Sequence, residues 1–63
     1  MPFVLNDQVC DRVGNVGTVK YAYYNRARQE WCYSIQWGLG TPISMDENDI
    51  RKHKIEKVQL ALA

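Results

Sequence analysis

The sequence predicts an all-β domain, a meandering antiparallel barrel of five short strands, and three features carry that prediction. In Trp31-Cys32-Tyr33-Ser34-Ile35-Gln36-Trp37 large apolar side chains take every second position, the period of a strand with one buried face. Residues 18–24 are dominated by threonine, valine and tyrosine, which fit a pleated surface best. Clusters rich in glycine, asparagine or proline at 14–17, 25–30 and 38–42 leave room only for short extended runs between them. At 63 residues the chain holds one domain, 1–63, with a barrel core over 3–54 and an apolar tail over 55–63. Such a domain buries roughly 60% of its unfolded surface. A core of that size rarely supplies more than ~3–5 kcal/mol, so an oligomer would help it.

The first strand is expected near residues 7–13, where Val9, Asp11 and Val13 share a side and Asp11 interrupts it, so a bend is expected there. Gly14-Asn15-Val16-Gly17 then reads as a tight reversal, because glycine and asparagine tolerate positive φ. The second strand, 18–24, places Val19, Tyr21 and Tyr23 on one face and Lys20, Ala22 and Tyr24 on the other. Residues 25–30 form an exposed hairpin loop with mobile arginines, and the aromatic strand follows. Gly38-Leu39-Gly40 turns the chain, and Pro42, lacking an N–H, stands at an edge or strand entry. Ile43-Ser44-Met45 is a short fourth strand. Asp46-Glu47-Asn48-Asp49 favours a single helical or 3₁₀ turn before a fifth strand over Ile50-Arg51-Lys52-His53. In the tail, Val58, Leu60 and Leu62 alternate like a strand while Ile55, Val58 and Leu62 would line a helix, so periodicity leaves both open.

Charge and chemistry exclude more than they assign. Eight lysines and arginines against seven acids argue against holding nucleic acid by bulk electrostatics. The acidic turn at 46–49 leading into Arg51, Lys52, His53 and Lys54 reads as a solvated strand edge, where lysine discourages aggregation. No apolar run approaches the ~20 residues of a membrane span. The opening Met1-Pro2-Phe3-Val4-Leu5 does not resemble a secretory signal, so a cytoplasmic location with Cys10 and Cys32 as thiols is expected. Cys10, Cys32 and His53 lack paired ligand spacing, and neither a metal nor a cofactor is expected. His53, flanked by cations, is expected as an exposed strand residue without an acid–base partner. Gly38-Leu39-Gly40 is too short for a phosphate loop and leads to a proline, and no catalytic motif stands out.

Phe3 and Val4 leading into Asp7-Gln8-Val9, the Gly14-Asn15-Val16-Gly17-Thr18-Val19 reversal, Tyr33-Ser34-Ile35-Gln36-Trp37 followed by glycine, and Asp49-Ile50 after a short turn together resemble the SH3-like small barrels, the group that includes KOW and Tudor modules. The resemblance spans about residues 3–54. It departs at Asn6, where many such domains have glycine, and asparagine can take the same left-handed conformation. It implies the fold and leaves the function open, since the group holds binding modules and enzyme subunits alike. Plasmid-borne type II dihydrofolate reductases are similar in length and class, and in them four chains share one active-site pore. Their Val-Gln-Ile-Tyr segment is replaced here by Pro42-Ile43-Ser44-Met45, with Ile35-Gln36-Trp37 one strand too early. What that likeness implies is oligomerisation.

Seven aromatic residues in so short a chain exceed what a small core takes in, and five of them, Tyr21, Tyr23, Tyr24, Trp31 and Trp37, flank the 25–30 loop. Tyr24, opposite Tyr21 and Tyr23, is expected to be the most exposed, with Trp31 next. The sequence therefore points to a non-catalytic module that binds a protein partner through Tyr24, Arg26, Arg28 and Trp31. A nucleic-acid partner is the alternative, because KOW and Tudor relatives include ribosomal and RNA-associated modules and exposed rings beside arginines stack bases. An oligomeric enzyme with a site between chains is the second alternative.

Overall fold

Alternation and turn chemistry yield six elements, β1 (Gln8–Cys10), β2 (Val16–Asn25), β3 (Glu30–Trp37), β4 (Ile43–Asp46), α1 (Glu47–Lys52) and β5 (Glu56–Lys57), in the computed structural model, which describes residues 3–58. The five strands form one antiparallel sheet in the order β4-β3-β2-β1-β5, so the all-β expectation holds. No pairing joins β4 to β5 among the described residues, and the sheet is not closed by hydrogen bonds into a barrel.

The aromatic strand behaves as its period requires. Tyr33 and Ile35 are wholly buried, and Trp31 and Trp37 pack half-buried against the same core. Val9 and Val19 are wholly buried across the sheet, while Phe3 meets Tyr33 edge-on at 5.3 Å and Met45 and Ile55 complete the cluster. The Tyr33 hydroxyl has no hydrogen-bond partner among the described residues. Burial is the main cause holding this phenol above its ordinary pKa, while the nearby Phe3 backbone N–H, which does not reach hydrogen-bond geometry, pulls it the other way. An unpaired buried hydroxyl costs stability, so Tyr33→Phe leaves the folding free energy unchanged or raises it by up to about 1 kcal/mol. Urea denaturation checks this, and a loss above that size would reveal a bond to the hydroxyl.

β2 departs from the expected pattern at Lys20. Val19 pairs with Ile35 and Tyr21 with Ser34, so Lys20 is the extra residue of a β-bulge. One inserted residue inverts the alternation. Val19 therefore shares the core side with Ala22, not with Tyr21 and Tyr23, which stand exposed. Gly17 also differs from expectation. It lies inside β2 rather than in the turn, opposite Trp37, and a methyl group on it would sit 2.7 Å from Cε3 of Trp37 and 2.8 Å from Cγ2 of Ile35.

The expected bend at Asp11 is present. Its carboxylate accepts from the N–H groups of Val13 and Asn15 and from the Asn15 side-chain amide, and Gly14 turns the chain at φ +94°. Asn6 takes the left-handed conformation, φ +73°, and its N–H donates to the Val19 carbonyl at 2.8 Å.

The 46–53 region corrects the sequence reading. The single turn is a six-residue helix that absorbs Ile50, Arg51 and Lys52, with exposed His53 as its C-cap, so no strand forms at 50–53. Asp46 caps it: the Asp49 N–H donates to Asp46 at 2.9 Å, and the Asp46 N–H donates back to the Asp49 carboxylate. Arg51 and Lys52 complement the C-terminal end of the helix dipole instead of lining a strand edge. The fifth strand falls at Glu56–Lys57, within the stretch read as tail, where it pairs with Val9 and Cys10. Ile55 is buried, and the Lys57 ammonium lies 3.5 Å from Asp7. The tail positions Leu60 and Leu62 lie outside the described residues.

Candidate interaction face

The β2–β3 hairpin brings Tyr24 opposite Trp31 and Asn25 opposite Glu30. Its loop is set locally: the Asn25 side chain accepts from the Arg28 N–H at 3.2 Å, and Gln29 turns left-handed at φ +54°. Tyr24 and Trp31 meet edge-to-face with centroids 5.5 Å apart. This arrangement aligns ring edge with ring face as the quadrupoles prefer.

Beside them the N-terminal segment is fixed by Asp7, whose carboxylate accepts from the Val4 N–H at 3.0 Å and whose N–H donates to the Val4 carbonyl at 3.1 Å. That turn sets Val4 and Leu5 against β2. Val4, Leu5, Tyr21, Ala22 and Trp31 line one shallow depression of about 340 Å³. Tyr21 is 61% exposed, Leu5 57%, and Val4 and Tyr24 47% each, so the largest exposure falls on Tyr21 and not on Tyr24. Trp31 is half-buried in the core packing and offers only part of its ring.

The two arginines separate in role. Arg28 is engaged rather than free: its guanidinium pairs with Glu30 at 3.0 Å and with Asp46 at 3.2 Å. Around it, Glu30 accepts from the Glu47 N–H and Glu47 accepts from the Trp31 N–H, tying the start of α1 to the start of β3. Arg26 is exposed and has no ion-pair partner among the described residues. Of the four residues the sequence singles out, the structure brings Tyr24 and Trp31 together, leaves Arg26 on the loop, and sets Arg28 into a charge network with Glu30 of β3 and Asp46 at the start of α1. Val4, Leu5 and Tyr21, which the sequence reading did not single out, line the depression beside Trp31. The apolar Val4-Leu5 pair ahead of a turn was the available signal.

The Asp49 N–H, together with the nearby Arg28 charge, holds the Asp46 carboxyl below the ordinary aspartate range despite some desolvation. At Asp11 desolvation pushes upward, and the bonds from Asn15, Val13 and Gly14 outweigh it, so that carboxyl too lies low. A group whose folded pKa is depressed stabilises the fold above its unfolded value and loses that contribution as pH falls through the folded one. Stability is therefore expected to fall below about pH 4. Asp46→Asn, which keeps a capping oxygen but no charge, flattens that acid limb in part and leaves the share due to Asp11. Melting midpoints taken from pH 6 to pH 2.5 check this, and an unchanged slope would contradict it.

A larger cleft, about 610 Å³, lies at the other end of β3 and is lined by Asp11, Asn15, Trp37, Met45, His53 and Ile55 among others. Trp31 and Trp37 stand roughly 20 Å apart at ~3.3 Å per strand residue. The Asp11 carboxylate in this cleft is already engaged by its own turn. Cys32 is buried, Cys10 half-buried, and both are free thiols. Among the described residues no three His, Cys, Asp or Glu side chains group as metal ligands, and no helix is long and apolar enough to cross a membrane. No protein-family model, curated protein or solved structure matches the chain.

Proposed function

We propose that this chain is a non-catalytic interaction module of the SH3-like small-barrel type that binds a protein partner through the face carrying Tyr21, Tyr24 and Trp31. The barrel reading is supported by the meander of four strands, the helical turn after β4, the return of β5 to β1 and the left-handed Asn6 before Asp7. The binding reading rests on one observation: Val4, Leu5 and Tyr21 are exposed around a shallow depression that half-buried Trp31 also lines, and exposed Tyr24 meets Trp31 edge-on from the other side of β2. Tyrosine and tryptophan at the centre of such a patch are the usual anchors of protein interfaces. A protein is favoured over nucleic acid because Arg28 is already neutralised by two carboxylates, leaving Arg26 and Lys20 as the cations nearest the rings in sequence. The same reading includes a reducing, cytoplasmic setting, in keeping with the two unpaired thiols.

The test replaces Tyr21 by a photo-reactive phenylalanine in living cells, with the same residue at Leu39 as the control. Discrete, protease-sensitive adducts from position 21 and none from 39 are the expected result. Adducts sensitive to nuclease would shift the reading to nucleic acid. Equal labelling from both positions, or none, would overturn it.

A further inference from the structure

The long strand β2 outruns its neighbour. β1 pairs only with residues 16–18, the backbone of Asn6 and Asp7 closes Val19, and Lys20 is the bulge, so residues 21–25 are paired on one side, with β3, and residues 20–25 have no backbone partner on the other among the described residues. In an antiparallel ladder alternate residues direct N–H and C=O away from the paired neighbour. An open edge of this length is about one ordinary strand, roughly 17–20 Å. Exposed tyrosines flank it on both sides, Tyr21 and Tyr23 on one and Tyr24 on the other, and Val4 and Leu5 line a depression with Tyr21.

The charges around the edge select its occupant. Lys20 stands at the bulge where the edge begins and Arg26 just past its end, both exposed, and no carboxylate occurs over residues 20–26. A bulge with a lysine is a device that discourages pairing with another copy of the same edge. A second copy would bring the same cations without a counter-charge. A strand with Asp or Glu near each end and apolar or β-branched residues between them satisfies both cations and packs against the tyrosines.

We infer that the free edge of β2 at residues 20–25 receives an extended segment of the protein partner as an added strand, apolar in its middle and acidic at both ends. This rests on the interaction-face reading and adds the mode and the chemistry of the partner. The probe is a synthetic heptapeptide of alternating valine and threonine with glutamate at each end. It is compared with a lysine-ended version and with two versions N-methylated at alternate residues, one for each hydrogen-bonding edge. The expected result is saturable binding with slowed amide exchange at alternate residues within 20–25. Binding weakens about tenfold or more for the lysine-ended peptide and for one N-methylated peptide, the loss of a charge-assisted pair or of ladder bonds. In a Lys20→Glu, Arg26→Glu variant the preference for peptide ends reverses. Equal binding by both N-methylated peptides overturns strand addition while leaving an aromatic binding face in place. No binding by any peptide also overturns it, and adducts from position 21 then decide whether the face itself still stands.

Discussion

Gly17→Ala is expected to remove about half of the stability of this domain. The new methyl group would stand 2.7 and 2.8 Å from side-chain atoms of Trp37 and Ile35, distances that real contacts do not sustain. Neither neighbour yields easily, because Ile35 is wholly buried and Trp37 packs against the core across the β2–β3 ladder. Overpacking of this kind costs about 1–3 kcal/mol, against the ~3–5 kcal/mol that a core of this size supplies. Denaturant titration followed by tryptophan fluorescence is expected to show the midpoint falling by about half. Trp37→Val in the Gly17→Ala background makes room and restores part of the loss. Gly14→Ala separates the two roles of glycine: its φ of +94° makes a side chain strained, yet nothing lies within 4 Å, so the loss there is the smaller one. A wild-type midpoint for Gly17→Ala would contradict the packing of Trp37 over β2.

Tyr21→Ser is expected to weaken partner binding by about thirtyfold, with folding stability nearly unchanged. An aromatic anchor at the centre of a protein interface is typically worth ~2 kcal/mol or more, which is that factor. Tyr21 is 61% exposed and its ring meets only exposed Tyr23 among the aromatics, tilted at 6.0 Å, so its removal costs the fold about 0.5 kcal/mol. Tyr24→Ser is expected to weaken binding comparably and to cost ~0.5–1.5 kcal/mol of stability as well, because it breaks the edge-to-face pair with Trp31. Arg28→Ala does the reverse. It removes the pairs to Glu30 and Asp46, which lowers stability and changes binding little. Affinities measured for the partner captured through position 21 check the set. Equal binding by wild type and Tyr21→Ser would remove the central residue of the proposed face.

These expectations trace back unevenly to the sequence. β3 was legible because its alternation is strict and its flanking turns are strong, and Asn6 because few other residues take positive φ readily. The bulge at Lys20 was not legible, since an inserted residue leaves no mark in composition, and it inverted the assignment of Tyr21 and Tyr23. The fifth strand was misplaced for a different reason. Ile50, Arg51 and Lys52 suit a helix or a strand, and the capping box of Asp46 with Asp49 decides for the helix, pushing the strand to Glu56–Lys57. The close approach of Trp37 to Gly17 depends on two strands pairing in one register, which no local pattern encodes. At the site, Tyr24 and Trp31 followed from aromatic excess at the hairpin. Val4 and Leu5 join them because the local Asp7 turn is laid beside β2, and Arg28 pairs with Asp46 as well as with its neighbour Glu30; the placing of the turn and the Asp46 pair are both tertiary.

Hydroxyl-radical footprinting of the full chain, alone and with the captured partner, separates the two concavities because it reads both at once. A partner seated at the β2–β3 hairpin protects Tyr21, Tyr24 and Leu5 and leaves Trp37 and Met45 as reactive as before. Protection of Trp37, Met45 and His53 with Tyr21 unchanged would contradict it and move the binding site to the cleft at the far end of β3.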